Sequence, residues 1–326
     1  MDSFIFSVNA VLPIILMVAL GYVLKKAGFI TEDFSKRTNK LVFRFFLPAM
    51  LFVNVYDIDI QHGIDLNYIL YVVIFILLTF CVMIPAVTFI TKDKFRRGPL
   101  LQATFRSNFA FIGIPLAQAL FGDEGVKIAA LLSAVTIPLY NILAVISLSM
   151  FNSESGKFSA KKVLLGIVKN PLIQGIFLGV IVLVIRLLFV KLDFSFRLTQ
   201  TPVYTVLGYL SKTATPLALI TLGAQFEFSA VKELKKEILW GTILRTVIVP
   251  LVALSISLVF RNTFSGAHYA SFIAVFATPV AISTVPMTQE MNNDAILAGQ
   301  LVVWTTIFSA LTVFIASFIF KTLGIF

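Results

Sequence analysis

The chain has 326 residues, of which 59% are hydrophobic and 13% charged, and its formal net charge is +10. A soluble domain has about a quarter of its residues charged, so this composition excludes an ordinary soluble enzyme or binding module and indicates a polytopic membrane protein. In that setting the basic excess reads as loop anchors at a membrane surface rather than a nucleic-acid footprint.

Apolar windows mark about ten spans of the ~20 residues that a bilayer crossing needs. They cover roughly 4–24, 40–56, 66–91, 99–121, 126–150, 163–188, 203–225, 237–260, 267–290 and 295–320. The first has no basic residues before it and exceeds the apolar core of a signal peptide, so it reads as a span. Cys81, the single cysteine, lies in an apolar run and supports neither a disulfide framework nor a metal site. The links are short, the longest being Phe151–Lys162 and Phe189–Pro202, and leave no room for an extramembrane domain.

Orientation follows from the basic residues. The links after spans one, three, five and seven hold Lys25, Lys26, Lys36, Arg37, Lys40, Lys92, Lys94, Arg96, Arg97, Lys157, Lys161, Lys162, Lys232, Lys235 and Lys236. Those after spans two, four, six and eight hold only Lys127, Lys191, Arg197 and Arg261. The positive-inside rule places the first set in the cytoplasm and both termini outside. Asp57, Asp59 and Asp65 then fall on the outer side; His62 and His268 read as loop residues without a role.

Four segments recur in the same order. Pro13 with Leu20-Gly21 matches Pro171 with Leu178-Gly179; Leu47-Pro48 matches Thr215-Pro216; Ile84-Pro85 matches Val249-Pro250. IPLAQALFGD (114–123) matches VPMTQEMNND (285–294), with Pro115, Gln118 and Asp123 aligned to Pro286, Gln289 and Asp294. This divides the chain into a repeat at 1–150, a short cytoplasmic linker at 151–162 and a second repeat at 163–326. Each half has five spans, an odd number, so the second is inserted upside down, as in many secondary transporters.

The expected fold is therefore all-α and integral to the membrane, two inverted five-helix repeats with proline-broken fourth and ninth spans. Pro115 in the fourth span, and Pro279 and Pro286 in the ninth, each remove a backbone donor. Gly113 and Ser283-Thr284 ease local unwinding beside them. Broken helices expose N-termini whose amides hold anions. Asn108 lies seven residues before Pro115, as Pro279 does before Pro286, and its amide offers two donors and an acceptor. It is the leading candidate for substrate contact, the alternative being a helix-to-helix hydrogen bond. Arg106 either attracts substrate or snorkels to the interface. Arg245 is structural or a second cation at the same vestibule. Gln118 and Gln289 line the path or cap freed backbone, and Asp123 and Asp294 cap the helices that follow them.

No Asp or Glu falls in the middle of a span, where proton and sodium pumps usually carry one. Amides, hydroxyls, helix ends and cations suit an anion, and coupling to a proton or sodium gradient stays open. No metallopeptidase, serine-hydrolase or nucleotide-loop motif is present, so the chain reads as neither an enzyme nor an ATPase. An anion channel and a ligand-binding membrane receptor are the rival readings.

RSNFAFIGIPLAQALFG (106–122), TATPLALITLGA (213–224) and ATPVAISTVP (277–286) together resemble the auxin efflux carrier family, including bacterial malate or malonate permeases and, more distantly, the plant PIN carriers. The long central loop of the plant carriers is absent, and the fourth span lacks their Asn-Pro-Asn form. The resemblance implies a fold related to bile-acid/sodium symporter-like proteins, with spans one, two, six and seven as a scaffold and spans three to five and eight to ten as a transport domain. It implies elevator-like transport of an organic mono- or dicarboxylate, without a bound cofactor, often as a homodimer. Asn108, Gly113, Pro115, Pro279 and Pro286 would belong to the crossover, and Thr215 and Pro216 would face it.

Overall fold

A computed structural model describes residues 2–57, 66–151, 160–192 and 198–325. Asp59, His62, Asp65, Lys157, Arg197 and most of the linker 151–162 lie outside the described residues. The described residues form helices and no sheet, as long apolar runs require: in lipid a backbone satisfies its own polar groups only within a helix or a closed barrel. The α-helices are α1 (Asp2–Lys26), α2 (Glu32–Leu41), α3 (Leu47–Tyr56), α4 (Leu66–Ile90), α5 (Lys94–Phe105), α6 (Ile114–Phe151), α7 (Ala160–Lys169) and α8 (Pro171–Lys191). They continue with α9 (Pro202–Gln225), α10 (Phe228–Glu233), α11 (Lys235–Ile243), α12 (Val249–Val259), α13 (Gly266–Phe276), α14 (Thr284–Glu290) and α15 (Ala295–Thr322).

Among the described residues, five helical stretches are long and apolar enough to cross a membrane: Leu66–Ile90, Phe109–Phe151, Pro171–Phe189, Lys235–Val259 and Ala295–Thr322. The second, 43 residues long, is two legs. It turns at Phe121–Gly122, where Gly122 takes φ +59°, a region that costs glycine little. Past the turn, Gly125 lies against the carbonyl of Ala117, eight residues back, which a straight helix would place about 12 Å away.

Three short π-helical turns share one sequence context. Val42–Phe46 precedes Leu47-Pro48, Phe109–Gly113 precedes Ile114-Pro115, and Leu244–Ile248 precedes Val249-Pro250. In each, the residue before proline donates five residues back: Leu47 to Val42, Ile114 to Phe109, Val249 to Leu244. Proline has no N–H and its ring crowds the carbonyl four residues earlier. Widening the turn before it gives that carbonyl room and keeps the helix running.

The helices pack closely where glycine allows it. α1 runs along α9, with Gly21 against the backbone of Ile220 and Gly223 against that of Val18. α3 runs along α8, where Gly175 meets the backbone of Pro48 and Gly179 meets Phe52 and Val55. α13 packs on α6, and α5 lies between α4, α6 and α15. The Leu-Gly pairs that recur in the sequence thus supply one contact glycine to each helix pair.

One end of the bundle is tied by polar contacts. Arg96 meets Asp93 (3.4 Å), Asp294 (3.2 Å), Glu237 (3.6 Å) and Glu233, joining the start of α5 to α10, α11 and α15. Partial burial disfavours the Arg96 charge, but these carboxylates outweigh it and hold its pKa above the ordinary arginine value. Asp294 also caps α15, accepting from the Leu297 amide at 2.8 Å.

Candidate functional site

Two helices end inside the bundle. α5 stops at Phe105, Arg106 is extended, and the chain stays non-helical through Asn108 before the π turn begins at Phe109. α13 stops at Phe276, and residues 277–283 are non-helical before α14. The two interruptions cross. Ser107 pairs antiparallel with Val280, the Asn108 amide donates to the Pro279 carbonyl at 2.8 Å, and the Val280 amide donates to Thr305 Oγ1 of α15 at 3.1 Å. Irregular backbone survives at membrane depth only when protein or water satisfies it. Here each break satisfies part of the other.

Arg106 is a charged group at this crossing. It is 2% exposed, so its guanidinium does not reach the surface. Nη1 donates to Gln102 Oε1 (2.8 Å) and Met287 Sδ (3.3 Å); Nη2 donates to Asn141 Oδ1 (2.9 Å) and Ser283 Oγ (2.9 Å). All four acceptors are neutral, and no carboxylate among the described residues pairs with it. A buried charge without a counter-charge is costly, and the amides and hydroxyl around it compensate only in part.

A cavity of about 50 Å³ borders the crossing. Its polar lining is Asn54, Arg106, Ser107, Asn108, Tyr140, Asn141, Thr215 and Ser283; Leu47, Met50, Leu51, Phe109, Phe111 and Ile137 supply much of the apolar wall. Asn108 is 4% exposed, and its Nδ2 has no hydrogen-bond partner. Leaving such a donor buried and unpaired costs about 1–3 kcal/mol. Beside it the amides of Phe109, Ala110 and Phe111 open a helix, where first-turn N–H groups have no intrahelical acceptor. An unpartnered amide, a helix start and an uncompensated guanidinium therefore face one space. A larger cavity of about 690 Å³ between α4 and α12 has an overwhelmingly apolar lining, including Leu70, Tyr71, Phe75, Val82 and Val252, and no charged group.

The other expected site residues are distributed as follows. Thr215, on α9, lines the cavity. Gly113 sits against the Phe109 ring and the Ala274 carbonyl of α13, where a Cβ would lie 2.9 Å from that oxygen. Pro279 contributes its carbonyl to Asn108. Thr284 is buried at the start of α14 with Oγ1 unpartnered, outside the cavity lining. Pro286 is the third residue of α14, a position that needs no intrahelical donor. Pro115 and Gln118 are exposed on α6 and do not line the cavity. The first interruption falls at 106–108, ahead of Pro115, whose effect is the π turn instead.

Gln289 lies in a separate cluster. Asn39 Nδ2 donates to Gln289 Oε1 (2.9 Å) and Gln225 Oε1 (3.0 Å), Thr221 donates to Asn39 Oδ1 (2.7 Å), and Gln289 Nε2 reaches the Lys36 carbonyl (3.3 Å). With Arg44–Glu290 at 3.6 Å, these contacts fasten α14 to α2 and α9. Sequence reasoning did not single out Gln102, Tyr140, Asn141 or Asn39. Gln102 carries a signal, one helical turn before Arg106; the others are lone polar residues without a local pattern.

A family profile described as membrane transport protein matches residues 6–317. A protein called an uncharacterized transporter from Methanothermobacter thermautotrophicus is 25% identical, covering 94% of this chain and 96% of the relative. Another from Methanocaldococcus jannaschii is 26% identical over 94% and 96%. The uncharacterized transporter YfdV of Escherichia coli K12 is 24% identical over 88% and 89%.

Proposed function

The chain belongs to the membrane transport protein family, that of the auxin efflux carriers, and from that premise we propose that it is a secondary carrier for an organic anion, a mono- or dicarboxylate, in the cytoplasmic membrane. One observation carries the reading: the buried Arg106 guanidinium is held by neutral acceptors alone and shares a cavity with the unpartnered Asn108 Nδ2. A cation so placed lacks a counter-charge that a carboxylate would bring. The carboxylate oxygens would accept from Asn108 Nδ2 and the first-turn amides at Phe109 to Phe111, with Arg106 stabilising the charge at short range.

In the proposed carrier the two halves are inverted repeats. The matched pairings of α1 with α9 and of α3 with α8 support that symmetry. Helices α1–α3, α8 and α9 serve as scaffold; α4–α6 and α11–α15 carry the crossing as a transport domain. The cavity of about 50 Å³ holds only a few waters, so a substrate requires the scaffold wall of Leu47, Met50, Leu51 and Thr215 to draw back. That separation is the step an elevator mechanism supplies. The basic end of the bundle faces the cytoplasm, lipid surrounds the rest, and a homodimer fits the same reading.

The test is uptake by proteoliposomes of purified protein, using labelled malate, malonate, citrate and indole-3-acetate, with Asn108→Ala alongside. The expected result is saturable uptake of at least one acid, with affinity about tenfold or more weaker in the variant, the scale of one buried hydrogen bond to a charged group. Uptake of none of these acids by well-folded protein would contradict the reading, as would equal affinity in the variant for the site assignment.

A further inference from the structure

The second break has a feature that anion binding does not explain. α13 ends inside the bundle, and a helix C-terminus carries about half a negative charge on carbonyls without intrahelical donors. Four of the carbonyls at this end have partners. The Ala277 amide donates to Ile273 O at 2.8 Å, and Thr278 Oγ1 donates to Ala274 O at 2.7 Å. Two of the four go to one side chain: Arg245 Nη2 donates to Val275 O at 3.0 Å and Nε to Thr278 O at 2.8 Å. Arg245 is 1% exposed, Nη1 has no partner, and no carboxylate among the described residues pairs with it. It stands on the π turn Leu244–Ile248, immediately before Val249-Pro250.

Half-helix C-terminal ends and unwound carbonyls in secondary carriers are where sodium ions or protons coordinate. A guanidinium donating to two such carbonyls places a fixed positive charge where a mobile cation would otherwise be needed. We propose that Arg245 is a tethered cation that takes the place of a coupling ion at the end of α13, so that the carrier moves its anion without a sodium gradient. This rests on the carrier reading and specifies its energetics. Arg106 does not duplicate the role, because its side chain bonds other side chains rather than helix-end carbonyls. Arg245 is a positioning residue: it fixes the end of α13, and through Pro279 and Val280 the strand-like crossing that presents Asn108.

Two readouts test this. In proteoliposomes, wild-type uptake should be equal in sodium, potassium and choline media of matched ionic strength. Arg245→Ala should lose about tenfold or more of its uptake in choline, as loss of a buried charged donor predicts, and regain it with millimolar guanidinium or sodium. Arg245→Lys, which keeps a cation, should stay sodium-independent. Separately, the melting temperature of purified Arg245→Ala should fall below wild type and rise again with guanidinium or sodium but not choline, while the wild type responds to none of them. A wild type that requires sodium for uptake overturns the proposal even if Arg245→Ala cannot be purified. So does a variant whose melting temperature ignores the added cations. If wild type carries none of the acids yet the thermal rescue appears, the tethered cation stands and the carrier reading falls.

Discussion

At the residue scale, the central contact is between Arg106 and Asn141, 2.9 Å apart. Asn141→Asp keeps the shape and adds the missing counter-charge. It should raise the melting temperature, because the buried guanidinium gains a partner, and weaken carboxylate affinity by about tenfold or more, because the ligand's charge has been supplied from within. A variant that transports with unchanged affinity would show that the Arg106 charge is not what the ligand meets. Arg106 and Asn108 were legible because an arginine and an amide inside an apolar run demand a reason. Asn141 was not, since a lone amide in a long helix carries no signal until the fold brings α6 against the break.

At the element scale, Pro115 acts through the turn before it. Its missing donor fits the π turn Phe109–Gly113, whose closing bond runs from Ile114 to Phe109. Pro115→Ala permits an ordinary α turn there, and moving one residue out of a turn rotates the preceding segment by about 100°. Asn108 would then swing off the cavity. The expected outcome is weaker affinity for the transported acid together with slower uptake, at near-normal protein abundance; unchanged affinity and turnover would make the π turn incidental. The prolines were visible in the sequence as breakers, but the position of the break was not. It sits at Ser107 because the extended backbone there finds Val280 and Pro279 across the bundle, a tertiary pairing that no local pattern encodes. The sequence windows also cut α2 short: its helix begins at Glu32, capped by Thr31 (3.2 Å to the Phe34 amide), outside the apolar stretch that a hydropathy window detects.

At the scale of the whole molecule, the all-helical membrane class follows from composition and apolar run length; of the ten expected spans, the described residues give five helical stretches long and apolar enough to cross a membrane, and family membership agrees with the motifs around Asn108 and Thr215. The pairing of helices was less accessible. It depends on glycines such as Gly21 and Gly223, whose importance lies in the backbone opposite them. In the proposed carrier, the Asn39–Thr221–Gln225–Gln289 cluster with Arg44–Glu290 closes the cytoplasmic side by holding α14 to α2 and α9. Each such bond within a membrane contributes about 0.6–2 kcal/mol. Asn39→Ala removes three of them and should shift the equilibrium toward the inward-open form. In a background with Cys81→Ser, a cysteine placed at Thr215 should then react faster with a membrane-impermeant thiol reagent from the cytoplasmic side. An unchanged rate would assign the cluster to static packing.

The central claim is that the crossing recognises its ligand by negative charge. The most direct measurement compares a transported acid with its neutral amide, indole-3-acetate with indole-3-acetamide or malonate with malonamide, as competitors for labelled-acid uptake in proteoliposomes. The account predicts that the unlabelled acid competes fully and that its amide, similar in size and shape, does not. An amide that competes as well as the acid would contradict it, because the Arg106 guanidinium would then have no part in holding the cargo.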